Sequence, residues 1–269
     1  MLEDQASDVI RKAMWGFKLG RDQLGARCGL SLEQVQALLD GTVEPAWLRA
    51  VAPPLGLAPE ALVDLATGAY QPRVEAPPGL ASLSSPFRDF FVNAYVLWDL
   101  QTREALAFDT GTEMAAWSDV LQRHGLRLRH VFVTHTHRDH VAVADALCAE
   151  TGATLFAPLA ECLPGAQAVR PGDRFTCGTL AVEARETSGH TVGGTSYLVR
   201  GLAREVVCVG DALFAGSMGG GLVSHEQAIA HNRRALMSLP DDTVVAPGHG
   251  PLTTIGLERR HNPFLAGLA

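Results

Sequence analysis

One short stretch restricts this chain more than any other: Val133-Thr134-His135-Thr136-His137-Arg138-Asp139-His140, entered through the apolar run Val131-Phe132-Val133. A buried strand there opens into a loop that holds three imidazoles and a carboxylate. His135 and His137 are two residues apart, so in extended backbone both side chains point the same way. Asp139 and His140 follow at once, at the start of an apolar-periodic segment read as a helix over Val141–Glu150. Neutral nitrogen donors, anionic oxygen donors and an open loop at a strand's end suit a divalent metal that must also leave room for water.

Three later stretches share the pattern. Thr187-Ser188-Gly189-His190-Thr191-Val192-Gly193-Gly194 sets a histidine among glycines before the strand-like Thr195–Val199. Val206-Val207-Cys208-Val209-Gly210-Asp211 runs an apolar strand into an aspartate, and Val244-Val245-Ala246-Pro247-Gly248-His249 runs another into a histidine. Ligand-type side chains at the carboxyl ends of strands are where open sheets collect their sites.

With these motifs in this order, the stretch from Leu80 to Ala269 resembles a metallo-β-lactamase-fold hydrolase. Gly210-Asp211-Ala212-Leu213-Phe214-Ala215-Gly216-Ser217, the tail Gly248-His249-Gly250-Pro251-Leu252-Thr253-Thr254-Ile255, Glu258 and His261-Asn262-Pro263-Phe264 resemble its small glyoxalase II-like (hydroxyacylglutathione hydrolase-like) branch. The resemblance implies one metal held by His135, His137 and His190. A second would be held by Asp139, His140 and His249, with Asp211 bridging the two. Zinc is the first expectation for this pair of divalent ions, with iron or manganese as alternatives. The implied fold is α/β, an αββα sandwich preceded by a small all-α bundle. The expected division is a helical region over 1–70, a linker or first edge strand over 71–85, and the catalytic domain over 86–269.

The 269 residues are 47% hydrophobic and 19% charged, which suits a folded globular chain with a full core. No stretch approaches the roughly 18 unbroken apolar residues of a membrane span. Met1-Leu2-Glu3-Asp4 has no apolar run behind it, so no signal peptide is expected, and five scattered cysteines point to a reducing cytoplasm. Cys148 and Cys208 lie in apolar runs and read as core. The net charge of −7 argues against a general polyanion-binding surface. The only lysines in the chain are Lys12 and Lys18.

Residues Asp4–Ala66 read as a helical bundle. Val9, Ile10, Ala13 and Met14 lie at helical spacing, Ser31 caps a helix through Leu39, and Pro59 suits a first helical position. The run Asp22–Ser31, continued by Val35, Leu38, Leu39 and Gly41, resembles the helix-turn-helix of the Cro/repressor-like family, with Ser31–Leu39 as recognition helix. From Met1 to Tyr70, however, six Lys/Arg face nine Asp/Glu, and the recognition helix carries Glu33 and no basic residue. Phosphate neutralisation normally supplies much of DNA affinity, so DNA is disfavoured. Dimerisation, including a homodimer through this bundle, or a wall at the active-site mouth are the better roles.

Beyond Phe90 strands are expected at Phe91–Trp98, Glu104–Phe108, Arg127–Val133, Ala153–Phe156, Thr179–Ala184, Thr195–Val199, Glu205–Val209 and Thr243–Val245. Helices are expected at Glu113–His124, Val141–Glu150 and His225–Leu239. Asp109 reads as a turn residue holding the ligand loop, and Tyr197 as packed. His124, His130, His225 and His231 read as exposed or hydrogen-bonded, His261 as locking the carboxyl terminus, and Arg233 with Arg234 as a solvated helix face.

The chemistry expected is attack of an activated hydroxide on the carbonyl of a small-molecule acyl thioester, ester or lactone, with Asp139 and Asp211 as the catalytic carboxylates. Ser217-Met218-Gly219-Gly220-Gly221-Leu222 is uncharged where glutathione-using relatives place a basic residue. Two alternatives accompany this reading. One is a persulfide dioxygenase with a single iron on His135, His190 and Asp211; the other is a DNA-bound ligand sensor.

Overall fold

The computed structural model describes residues 1–267. Residues 268 and 269, the end of the expected catalytic segment, lie outside the described residues. Five helices come first: α1 (Ala6–Gly16), α2 (Arg21–Cys28), α3 (Leu32–Leu39), α4 (Pro45–Val51) and α5 (Pro59–Thr67). Their boundaries follow local chemistry. Gly29 ends α2 in the left-handed conformation. The Ser31 side chain accepts the Gln34 N–H at the start of α3, and Pro45 and Pro59 open their helices.

The rest is two six-stranded sheets with helices outside. The first runs in the order β1 (Leu80–Phe87), β2 (Phe90–Trp98), β3 (Glu104–Phe108), β4 (Arg127–Phe132), β5 (Thr154–Pro158), β6 (Gln167–Val169). The second runs β12 (Thr253–Thr254), β11 (Val244–Pro247), β10 (Val206–Gly210), β9 (Thr195–Arg200), β8 (Leu180–Glu186), β7 (Arg174–Cys177). The helices outside them are α6 (Met114–His124), α7 (Arg138–Val141), α8 (Ala144–Thr151), α9 (His225–Ala235) and, last, α10 (Ile255–His261). This is the αββα sandwich.

Strand alternation sorts the side chains into layers. Tyr95, Leu97, Leu106, Phe108 and Phe132 meet Val182, Tyr197, Val199, Val206 and Cys208 between the sheets. On the first sheet's outer face Ala94, Val96, Ala107 and Val131 receive Trp117, Val120 and Leu147 of α6 and α8. On the second sheet's outer face Val207, Val209 and Val245 join Ala228, Leu236 and Phe264, and also Val9, Ile10, Leu24 and Leu62 of the amino-terminal helices. That apolar layer is therefore continuous with the helical bundle.

Several expectations are corrected. The helix read over Val141–Glu150 is two pieces, α7 and α8, interrupted at Ala142 and Val143, because the first turn must bend Asp139 and His140 back into the site. The one read to Leu239 ends at Ala235. Short β6, β7 and β12 and helix α10 carried too little periodicity to be read. The stretch 71–85, expected as a linker or first edge strand, does hold the start of an edge strand, which begins at Leu80 and runs two residues further than expected, to Phe87. His225 is neither exposed nor hydrogen-bonded. It is buried between the Phe17 and Phe264 rings, with no partner for either nitrogen among the described residues.

Tyr70, just past α5, ties the bundle to α10. Its hydroxyl donates to the buried Glu258 carboxylate and lies 3.0 Å from the Thr253 hydroxyl. Tyr70→Phe should lower unfolding stability by about 1–3 kcal/mol, the scale for depriving a buried polar group of its hydrogen-bond partner. Urea unfolding should show a lower midpoint at unchanged slope.

Candidate metal centre

The site lies at one end of the sandwich, where the two sheets are stitched together. Thr195 N–H donates to Thr134 O across them (2.9 Å), and Asn93 N–H donates to Gly248 O (2.7 Å). Because β10 and β11 are parallel, their carboxyl ends deliver Asp211 and His249 to the same edge. The loop after β4 supplies His135 and His137, the short α7 that follows supplies Asp139 and His140, and the β8–β9 hairpin supplies His190. Gly210 closes β10 with positive φ (50°), pressed against Thr134, where a Cβ would collide with the threonine hydroxyl.

All seven expected ligands converge. His135, His137, His190 and Asp211 form one group, and Asp139, His140 and His249 form the other. Asp211 divides its oxygens between them. Its Oδ2 is 3.4 Å from His190 Nε2 and 3.8 Å from His135 Nε2, while its Oδ1 is 3.3 Å from His140 Nε2 and 3.4 Å from His249 Nε2. Asp139 Oδ2 is 3.6 Å from His140 Nε2 and 3.5 Å from His249 Nε2.

The ring tautomers follow from the outer partners. His140 Nδ1 donates to the buried Asp109 carboxylate at 2.8 Å. His190 Nδ1 donates to Gly220 O, and His249 Nδ1 to Phe91 O, each at 2.7 Å. The Thr134 hydroxyl donates to Asp109 Oδ2 (2.9 Å) and accepts from His135 Nδ1 (3.0 Å). Four Nε2 lone pairs are thereby left facing inward. His137 turns its Nδ1 inward instead, 3.1 Å from His135 Nε2 and 3.2 Å from His190 Nε2.

Such a set fits cations. Lone pairs gathered this closely repel unless a positive charge lies among them. Buried His140 Nε2 and Asp211 Oδ1 face each other without a hydrogen bond to any described residue. Imidazole and carboxylate donors, with no thiolate, suit zinc, iron or manganese and bind a divalent ion. Burial pushes His135 well below the ordinary histidine range and lowers His190, keeping both neutral. For Asp211, burial acts upward, but the surrounding imidazoles, His140 first, outweigh it and hold the carboxylate ionised. His140 is also buried, yet Asp211 and Asp109 draw its pKa up, so a cation bound there would take the place of a proton on its Nε2.

Two supporting carboxylates differ in how legible they were. Asp109, expected to hold the ligand loop, does so from a left-handed backbone (φ 55°), accepting from Thr134 N–H (2.7 Å) as well as from His140. Glu161 was missed. One of its oxygens accepts from the N–H and hydroxyl of Thr136 (both 3.0 Å), and the other from Gly193 N–H, so it bridges the two loops that carry His135, His137 and His190. It stands alone in its segment, and no spacing marks it. Tyr197 is packed as expected, its hydroxyl donating to Val133 O. His261 lies against Asp64 and Tyr70.

Losing a partner behind a ligand typically costs ten- to a hundredfold in metal affinity. Asp109→Asn should weaken the Asp139/His140/His249 position by about that factor, and Glu161→Gln the His135/His137/His190 position, as read by chelator competition. Glu161 carries a second expectation. Burial acts to raise its pKa, but polar groups of Thr191, Gly193 and Thr136 outweigh that and hold it below the usual range. Its contribution to stability is complete above the unfolded value of about 4.3 and is lost as pH falls through the lower folded value. The stability gap between wild type and Glu161→Gln should therefore close on acidification.

No helix among the described residues is long and apolar enough to cross a membrane. Residues 87–249 match the family model described as "Metallo-beta-lactamase superfamily". A hydroxyacylglutathione hydrolase of Brucella ovis is 37% identical over 132 residues, 48% of this chain and 51% of that protein, so the match spans about half the relative's length. Among solved structures, ETHE1 from Myxococcus xanthus is 32% identical, with a TM-score of 0.60 over 70% of this chain and 86% of that one. TTHA1623, solved in a di-iron-bound form, is 27% identical, with a TM-score of 0.55 over 68% of this chain and all of that one. With its two-sheet sandwich, its seven converging donors and this match over more than half its length, the chain belongs to the metallo-β-lactamase superfamily.

Proposed function

We propose that this chain is a binuclear metal-dependent hydrolase that opens a small-molecule acyl thioester, or a related ester or lactone. The observation that carries the reading is the division of Asp211 between two complete donor sets, one oxygen to each. Two divalent ions bound there supply a water of lowered pKa and a Lewis acid for the carbonyl. The chain's own residues set the geometry. Asp211 fixes the spacing between the two sets. Asp139, beside His140 and His249, presents a carboxylate that orients the attacking water and takes up its proton. Partly exposed His137 and His190 mark the open side, and deeply buried His135 and His140 the floor.

Exposed apolar side chains close in sequence to the donors bear on the substrate class. Val192 follows His190 by two residues, Leu222 follows Gly220 by two, and Phe91 gives its carbonyl to His249; all three side chains are exposed. Phe90 meets the His249 ring edge-on at 5.1 Å. The Ser217–Leu222 segment brings no charge of its own. An apolar acyl group therefore suits this mouth, and thioesters and lactones need little acid assistance to their leaving groups. The hydroxyacylglutathione hydrolase relative supports the hydrolytic class, and the di-iron neighbour supports a paired site.

Elemental analysis of protein purified without added metal should give two ions per chain, and a panel of acyl thioesters should be turned over. Asp211→Ala should lower kcat by more than about a hundredfold, beyond the loss of a supporting partner alone. One tightly held iron with oxygen uptake on a persulfide would instead establish the dioxygenase alternative, in which His135, His190 and Asp211 form the metal face.

A further inference from the structure

The loop from Asp211 to Gly221 has the bridging ligand at its start and the acceptor for His190 near its end. Gly219 N–H returns to Asp211 O (2.9 Å), and Gly220 O accepts from His190 Nδ1. A Cβ on Gly219 would collide with Asp211 O and crowd His190 Nδ1, so the turn is tightly closed on the centre. Between these ends the loop plunges into the amino-terminal bundle. Leu213, Ala215 and Met218 are buried in the same apolar layer as Val9, Ile10, Ala13 and Leu65.

Polar contacts fasten that insertion. The fully buried Ser217 hydroxyl donates to Asp4 Oδ2, and the same oxygen pairs with Lys12 on α1. Lys12 Nζ also donates to Met218 O at 2.9 Å and lies 5.1 Å from the centroid of the Phe214 ring. That ring meets His249 edge-on at 5.6 Å. One of the chain's only two lysines thus packs from α1 against the loop joining Asp211 to the His190 support, and its counter-ion is buried.

We propose that Asp4 and Lys12 are positioning residues for the metal centre, holding the 211–221 loop so that Asp211 and His190 keep their aim. The amino-terminal helical bundle is then a built-in brace of the active site. Removing either partner leaves the other as an uncompensated charge in a mostly buried setting, and the loop releases to hydrate it. The proposal rests on the two-cation reading of the centre and is independent of the substrate assigned to it.

The test uses the full chain, stripped of metal and titrated with cobalt(II) alone. Visible ligand-field absorption reports coordination, and chelator competition reports affinity. Lys12→Met and Asp4→Asn should shift the ligand-field bands and weaken cobalt binding roughly ten- to a hundredfold, while Lys12→Arg, which keeps charge and donor, restores both. Ser217→Ala deletes a single hydroxyl and guards against misfolding of the charge variants; it should shift the bands in the same direction by less. Wild-type spectra and affinity in Lys12→Met, Asp4→Asn and Ser217→Ala would overturn the proposal while leaving the metal centre standing. A wild-type chain that takes up no cobalt would overturn the metal-centre reading itself, and this proposal with it.

Discussion

A single carboxylate, Asp211, lies between two sets of imidazoles, and much of the structure is arranged to keep it there. Alone in a protein interior such an anion would be costly, and so would the inward lone pairs around it. Four of the five imidazoles are fixed from behind, by an acceptor for the other ring nitrogen's N–H or by a neighbouring hydroxyl, and those partners come from different parts of the chain. The centre is thus a convergence of strand ends, each held by the sheet it belongs to. Loops alone would leave the donors free to turn away from one another.

The two-sheet body makes that convergence possible. Its central strands are apolar on both faces, because each sheet is covered by its partner on one side and by helices on the other. Burial fixes strand register, and register fixes where each strand ends. Cross-sheet bonds from Thr195 to Thr134 and from Asn93 to Gly248 then lock the ends together. Asp109 and Glu161 refine the result, one bracing Thr134 and His140, the other joining the two loops of the histidine-rich set.

The amino-terminal bundle shares an apolar layer with the second sheet, through Leu198, Val207 and Val245. Its helices take their ends from local signals such as Ser31, Pro59 and Gly68. Its attachment depends instead on buried polar groups far apart in sequence, among them Tyr70 with Glu258 and Asp4 with Ser217. A unit whose sequence resembles a helix-turn-helix is joined to the two-sheet body by a common core.

Local chemistry written into the sequence marked out the candidate donors. Histidine and aspartate beside apolar runs need only a strand and a turn to be recognisable: six of the donors follow such runs, His190 sits among glycines before one, and all seven come together. Asp109 was legible because it too ends a strand. What only the tertiary structure decided were the relations between distant segments: Glu161 spanning two loops, the break between α7 and α8, the buried His225, and Lys12 lying over Phe214. Periodicity reports which side of an element is apolar, whereas these contacts depend on which elements meet, and that is settled by packing across the whole chain.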